Sequence, residues 1–136
     1  MKAVFVDTMG WFSLLNRRDT WHERACAIMH QLSRAKTPLF TTDYVADETA
    51  TLLKVRGATH AIDSFFELLD SSRALTMTMI GSARFAAAQE LFLRRRGHGY
   101  SFTDVTSFVV MDELRIREAF THDGHFAEAG FVRLLE

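Results

Sequence analysis

Four apolar residues, Ala3-Val4-Phe5-Val6, run straight into an acid, Asp7. A short, uninterrupted, β-branched-rich run reads as a strand covered on both faces, the setting found in parallel sheets. A carboxylate at its end projects where open α/β sheets bind their ligands. The remaining sequence alternates helical text with further short apolar runs. Thr8 to Leu15 reads as a helix, and Thr20 with Glu23 forms a capping-box pattern opening a helix to about Ala35. Pro38 ends that region, and Leu39-Phe40-Thr41-Thr42 reads as a second strand. Asp43 is expected to cap a helix to about Arg56, with Gly57 placed to stop it. A helix over 59–71 leads to a third strand over 75–80. The helix from Gly81 ends in Arg94-Arg95-Arg96-Gly97, cations in the last turn where the helix dipole favours them. Ser101 and Asp104 open another helix, to about Leu114, with Asp in place of the usual Glu or Gln. Arg117 to Thr121 is expected as a fourth strand, then a turn or short helix, and Phe131 to Leu135 as a fifth. This is an α/β pattern: a parallel sheet of four to five strands, flanked by helices and joined by right-handed crossovers.

At 136 residues and 48% hydrophobic content, the chain suits one domain, 1–136, with a substantial core. Its one proline and the absence of a Gly/Ser-rich stretch give no domain boundary. The lone Cys26 excludes an internal disulfide framework and a Cys-rich zinc site, so a reduced, cytoplasmic setting is expected. The apolar run after Met1-Lys2 is too short for a secretion signal. No stretch reaches the roughly 18 apolar residues of a membrane span. The net charge of −1 argues against a general nucleic-acid coat protein.

Four carboxylates stand where folding alone would not choose them. Asp7 ends the first strand, and Asp123 follows the fourth, in Thr121-His122-Asp123-Gly124-His125-Phe126. Glu48 falls three residues after Val45 and four before Leu52, on the apolar stripe that Val45, Leu52 and Val55 mark by spacing. Asp43 reads as a cap and Asp47 points aside. Asp104 lies four before Phe108 and seven before Met111, on the core-facing side and in a first helical turn. Singly, Asp7 and Asp104 serve as caps and Asp123-Gly124 as a turn. Glu48 is harder to account for, because an apolar stripe rarely takes an unpartnered acid. Together they repel one another, which raises at least one pKa unless cations intervene. Mg²⁺ or Mn²⁺, which prefer oxygen ligands, resolve that repulsion.

Other α/β readings lack their residues. A receiver domain needs an acid after the third strand, which ends in Gly81-Ser82. A haloacid-dehalogenase-like phosphatase needs a second Asp where Met9 stands. A dinucleotide binder needs a glycine-rich turn that Thr8-Met9-Gly10 does not supply. His122 and His125 have a metal-like spacing, but without cysteine partners a zinc site is not expected.

The four segments Val4-Phe5-Val6-Asp7-Thr8, Asp43 to Glu48, Ser101 to Phe108 and Thr121 to Phe126 resemble, in this order, the PIN-domain ribonucleases. The likeness is strongest to the small VapC-type toxins of VapBC toxin–antitoxin pairs and spans nearly the whole chain. The resemblance implies a single PIN-like domain with strand order 3-2-1-4-5. It also implies an acidic cleft that binds Mg²⁺ or Mn²⁺ and cuts single-stranded or looped RNA. By resemblance Asp7, Glu48, Asp104 and Asp123 are the four family acids, catalytic and metal-binding, with Asp7 and Asp104 the main ligands. Thr8 matches the hydroxyl residue beside the first acid, and Asp123-Gly124-His125-Phe126 keeps the Asp-x-His-Phe form. The resemblance further implies a cognate antitoxin and a homodimer. Arg95, Arg96 and Tyr100, with Lys54, Arg56, Arg94 and His98, are candidates for a substrate-binding rim. Cys26 and Met29 are expected in the core, as are most of Trp11, Phe12, Trp21, Phe65 and Phe66, with some of these aromatics free to meet a partner. A non-catalytic PIN-like RNA- or protein-binding module, or a DNA-directed nuclease, is the alternative. Placing four acids in one cleft leaves the rest of the chain mildly basic, which suits a nucleic-acid substrate.

Overall fold

The computed structural model describes residues 2–136. Its strands are β1 (Val4–Val6), β2 (Leu39–Thr42), β3 (Leu75–Thr78), β4 (Glu118–Phe120) and β5 (Val132–Arg133). All pair in parallel, in the order β3-β2-β1-β4-β5. The helices are α1 (Thr8–Leu15), α2 (His22–Arg34), α3 (Asp43–Val55), α4 (Ile62–Ser71), α5 (Gly81–Arg94), α6 (Phe102–Leu114) and α7 (Gly124–Glu128). Central β1 is hydrogen-bonded on both sides and fully buried, which accounts for its uninterrupted apolar run. None of the helices among the described residues is long and apolar enough to cross a membrane.

Several local expectations change. Strand β3 stops at Thr78, because the Ile80 N–H donates to Asp43 Oδ1 at 2.9 Å instead of to the sheet. That frees Asp43 from capping: Thr42 caps α3, its hydroxyl accepting from Val45 N. The Thr20–Glu23 capping box does not form. Helix α2 opens after Trp21, whose N–H donates to Asp19 Oδ2. The helix expected over 59–71 begins as a 3₁₀ turn, Thr59–Ala61, before α4. Cys26 is exposed, not core, since the buried row of α2 runs through Ala25 and Ile28. Trp11, Phe12 and Phe65 are buried as expected, Trp21 and Met29 are half-buried, and Phe66 is exposed.

One contact sets how closely the first site-bearing helix sits on the sheet. Gly10 in α1 lies against the end of β4, where an added Cβ would meet the carbonyl oxygen and ring of Phe120. Backbone on both sides leaves little room to yield. Gly10→Ala is expected to cost roughly 1–3 kcal/mol or more by overpacking. Gly97→Ala, with open space around it, should stay within about 0.5 kcal/mol. Thermal melts of the two variants check this.

Candidate active site

Because β1 and β4 are parallel neighbours, the residues following them emerge at the same sheet edge. Asp7 follows β1 and opens α1, yet its side chain makes no capping bond. Instead Asp7 Oδ2 accepts from Thr121 Oγ1, just beyond β4, at 2.9 Å. Asp7 is 2% exposed. Burial pushes its pKa up to about 7, the Thr121 hydroxyl offsets part of that, and the charges of Asp104 and Asp123 add to it.

Asp104 arrives through a capping box. Its N–H donates to Ser101 Oγ at 3.0 Å, and its Oδ2 accepts from Ser101 N at 3.1 Å. The local pairing that stabilises the start of α6 therefore also aims the carboxylate. The same oxygen lies 2.8 Å from His125 Nδ1. Burial raises the Asp104 pKa, opposed by the Ser101 N–H and by His125, while Asp123 raises it further. Asp123 caps α7, its Oδ1 accepting from His125 N at 2.9 Å, and its own N–H donates to Thr121 Oγ1 at 3.0 Å. One hydroxyl thus holds two of the acids.

Ligand atoms of Asp104, Asp123 and His125 all lie within 4.8 Å of one another. Burial lowers the His125 pKa, but the bond to Asp104 and the charges of Asp123, Asp104 and Glu128 outweigh it and leave the pKa raised. One imidazolium does not balance three carboxylates. A donor set dominated by carboxylate oxygens, two of them destabilised as anions, fits a hard divalent cation.

The structure brings Asp7, Asp104 and Asp123 together; it places Glu48 near Thr103, the residue before Asp104, and not in the cluster itself. The buried row of α3 is Val45, Thr49 and Leu53, whereas Val55 is 75% exposed. The buried face is thus rotated from the Val45–Leu52–Val55 stripe, because its row follows the i, i+4, i+8 spacing. Glu48 is half-buried in a shallow groove with Leu52 and with Thr103, the neighbour of Asp104. It makes no side-chain hydrogen bond or ion pair among the described residues. Glu48→Gln is accordingly expected to leave metal-free stability within about 0.5 kcal/mol of wild type, as read by melting in EDTA.

Thr8 is buried beside Asp7, with its hydroxyl unpartnered. Tyr100 is buried too. It stacks on His98 (4.9 Å between centroids, 6° between planes) and meets His125 edge-on at 5.5 Å, so it backs the cluster. Arg95 lies near Tyr100 and Asp112, and Arg96 is exposed, its Nε donating to Leu93 O. Thr121 and His125 are site residues to which the sequence assigns no role; His125 figures there only as a zinc ligand with His122 and as part of the Asp-x-His-Phe motif. The signal for His125 was its place two residues after Asp123, in the first turn of a short helix.

A family model for the PIN domain matches residues 4–132. The chain is 33% identical over 132 residues to the 23S rRNA-specific endonuclease VapC20 of Mycobacterium tuberculosis, covering 96% of this chain and 97% of that one. It is 31% identical over 127 residues to a VapC ribonuclease of Archaeoglobus fulgidus, covering 92% of this chain and 80% of the relative. The crystal structure of M. tuberculosis VapC20, described as a Sarcin-Ricin loop cleaving toxin, superposes with a TM-score of 0.84 over 96% of this chain and 97% of that chain. FitAcB of Neisseria gonorrhoeae, at 14% identity and a TM-score of 0.65 over 96% and 95% of the two chains, shares the fold. From its first strand to its last, the chain belongs to the PIN-domain family, alongside VapC-type ribonucleases.

Proposed function

We propose that this protein is a Mg²⁺- or Mn²⁺-dependent endoribonuclease, the toxin of a type II toxin–antitoxin pair, hydrolysing phosphodiester bonds in single-stranded or looped RNA. The observation that carries the reading is the convergence of three acids at one sheet edge. Asp104 and Asp123 share a ligand group with His125. Asp7, joined to Asp123 through the Thr121 hydroxyl, is pushed up to a pKa of about 7 by burial and by its acidic neighbours. Relatives named as an rRNA-specific endonuclease and a ribonuclease support the substrate class.

Asp7, Asp104 and Asp123 would hold the cation, with Glu48 completing the set across the Thr103 groove, directly or through water. When bound, such an ion lowers the pKa of a water ligand and offsets charge growing on the phosphate. The chain's own residues position the reactants, which is most of what phosphoryl chemistry needs. Thr121 locks Asp7 and Asp123 in mutual register, and Ser101 and His125 fix Asp104. Thr8 is sealed beside Asp7 with its hydroxyl unpartnered, so a direct contact to a phosphate oxygen would require the site to open. Arg95 and Arg96 supply cations for the strand, and Tyr100 braces His125.

The same reading assigns a cytoplasmic site of action and a cognate antitoxin. It also assigns a homodimer, supported by exposed Val55, Phe85, Phe92 and Leu93. The test is incubation with total RNA, with and without Mg²⁺, followed by mapping of the cut ends. Discrete Mg²⁺-dependent ends, rRNA among them, are expected. Intact RNA under both conditions would remove the nuclease reading.

A further inference from the structure

Beside the acids stands an aromatic pair that the metal site does not use. Trp21 lies in the turn before α2, and its ring is nearly parallel to that of His122, with 8° between planes and 5.1 Å between centroids. His122 is the residue directly before Asp123. Both rings are half-buried, in contrast to Trp11 and Phe12, which are sealed in the core. The pair therefore keeps part of its aromatic surface exposed, beside Asp123 in the chain. Its footing is rigid: Arg133 Nη1 donates to His122 O at 3.0 Å, and Asp123 N to Thr121 Oγ1 at 3.0 Å.

The turn that carries Trp21 also borders a basic cleft through Arg17, Arg18 and His22. Arg17, Arg18, His22 and His60 help line a cleft of about 480 Å³ that has no acidic residue in its wall. Arg17 and Arg18 are exposed and form no ion pair among the described residues. Trp21 thus adjoins Asp123 through His122 and follows the unpaired Arg17 and Arg18 by three to four residues, with Asp19 between them engaged by the Trp21 N–H. Alternating π faces and cations are the requirements of a single nucleic-acid strand, whose bases stack and whose phosphates need positive charge.

We propose that Trp21 and His122 form a stacking platform for an unpaired nucleobase next to the scissile phosphate, and that Arg17 and Arg18 hold the strand's phosphates beyond it. This rests on the nuclease reading, and it makes Trp21 and His122 positioning residues. The platform selects RNA with a base free to leave its neighbours, as in a loop, and disfavours continuous duplex.

The test uses intrinsic fluorescence, since the chain has two tryptophans and Trp11 is buried. A 2′-O-methyl octa-adenylate, titrated in EDTA, should quench the Trp21 signal. Trp21→Phe should abolish the quench while preserving binding. Trp21→Ala and His122→Ala should each weaken binding by roughly 5- to 100-fold, and raise KM for cleavage more than they lower kcat. An abasic octamer of the same charge should bind as weakly as octa-adenylate binds Trp21→Ala, without quenching. The Arg17→Ala/Arg18→Ala double variant should reduce the slope of log K against log salt by roughly 1.4. Melting curves establish that each variant is folded, and Trp21→Phe with His122→Ala carry the test if Trp21→Ala is not. Equal binding of abasic and base-bearing octamers with unchanged fluorescence overturns the platform. Octaglutamate binding as tightly as octa-adenylate would overturn it too, giving the face to an acidic protein segment. Oligonucleotide stacking on a wild-type protein that cuts no RNA in Mg²⁺ would leave the platform standing and remove the nuclease reading instead.

Discussion

Asp7→Asn and Asp104→Asn are each expected to all but abolish Mg²⁺-dependent RNA cleavage, lowering kcat/KM on the order of 10³-fold, while the fold survives. A loss of that size corresponds to roughly 4 kcal/mol of transition-state stabilisation. It is expected because an amide keeps the shape of the side chain but not the anionic oxygen that a divalent cation requires. The fold survives because the neighbours still have partners. An Asn oxygen at position 7 can accept from Thr121, as Asp7 Oδ2 does now. At position 104 the amide oxygen can still accept from Ser101 N. Circular dichroism and single-turnover cleavage of the same preparations separate the two effects. Folded variants that cut RNA at the wild-type rate would remove both residues from the site.

The second large effect is on stability and needs no substrate. Burial pushes the Asp7 carboxyl from its ordinary pKa of 3.8 up to about 7 in the fold. The fold therefore prefers the protonated form. Its contribution is complete below about pH 4 and is lost progressively as pH rises through 7. The gap corresponds to roughly 4 kcal/mol at most by pH 8. Burial raises Asp104 in the same direction, and the raised pKa of His125 also makes its contribution fade with rising pH. In EDTA the melting temperature should fall from pH 5 to pH 8. Asp7→Asn should flatten that slope and melt above wild type at pH 8. Mg²⁺ should raise wild-type stability most at pH 8, where the acids are ionised, and should do little for Asp7→Asn. A metal-free melting temperature that climbs from pH 5 to pH 8, or a slope that Asp7→Asn leaves unchanged, would contradict the burial account.

What could be read in the sequence was what local chemistry determines. The Val4–Val6 run before Asp7 and the Ser101–Asp104 capping box are both decided within a few residues, and both appear in the structure. The strand order matches what the resemblance implied. Misreadings arose where several local solutions compete. Thr42 and Asp43 can each cap α3, and the contact from Asp43 to Ile80, 37 residues away, decides between them. The apolar stripe of α3 was misphased because Val55, at the helix end, is apolar but exposed. The long-range bonds that tune the site were not legible. Thr121 reaches Asp7 across 114 residues and His125 reaches Asp104 across 21, and only the parallel pairing of β1 with β4 and the packing of α6 near α7 bring them together.

The central claim is that the acid cluster cuts RNA through a divalent cation. Its most direct measurement is the single-turnover cleavage rate of one mapped RNA by wild type and by Asp104→Asn, across a Mg²⁺ titration at constant ionic strength. Wild type should rise from no cleavage in EDTA to a saturating rate, while Asp104→Asn stays near baseline throughout. Cleavage in EDTA at the saturated rate, or an Asp104→Asn curve overlying that of wild type, would contradict it.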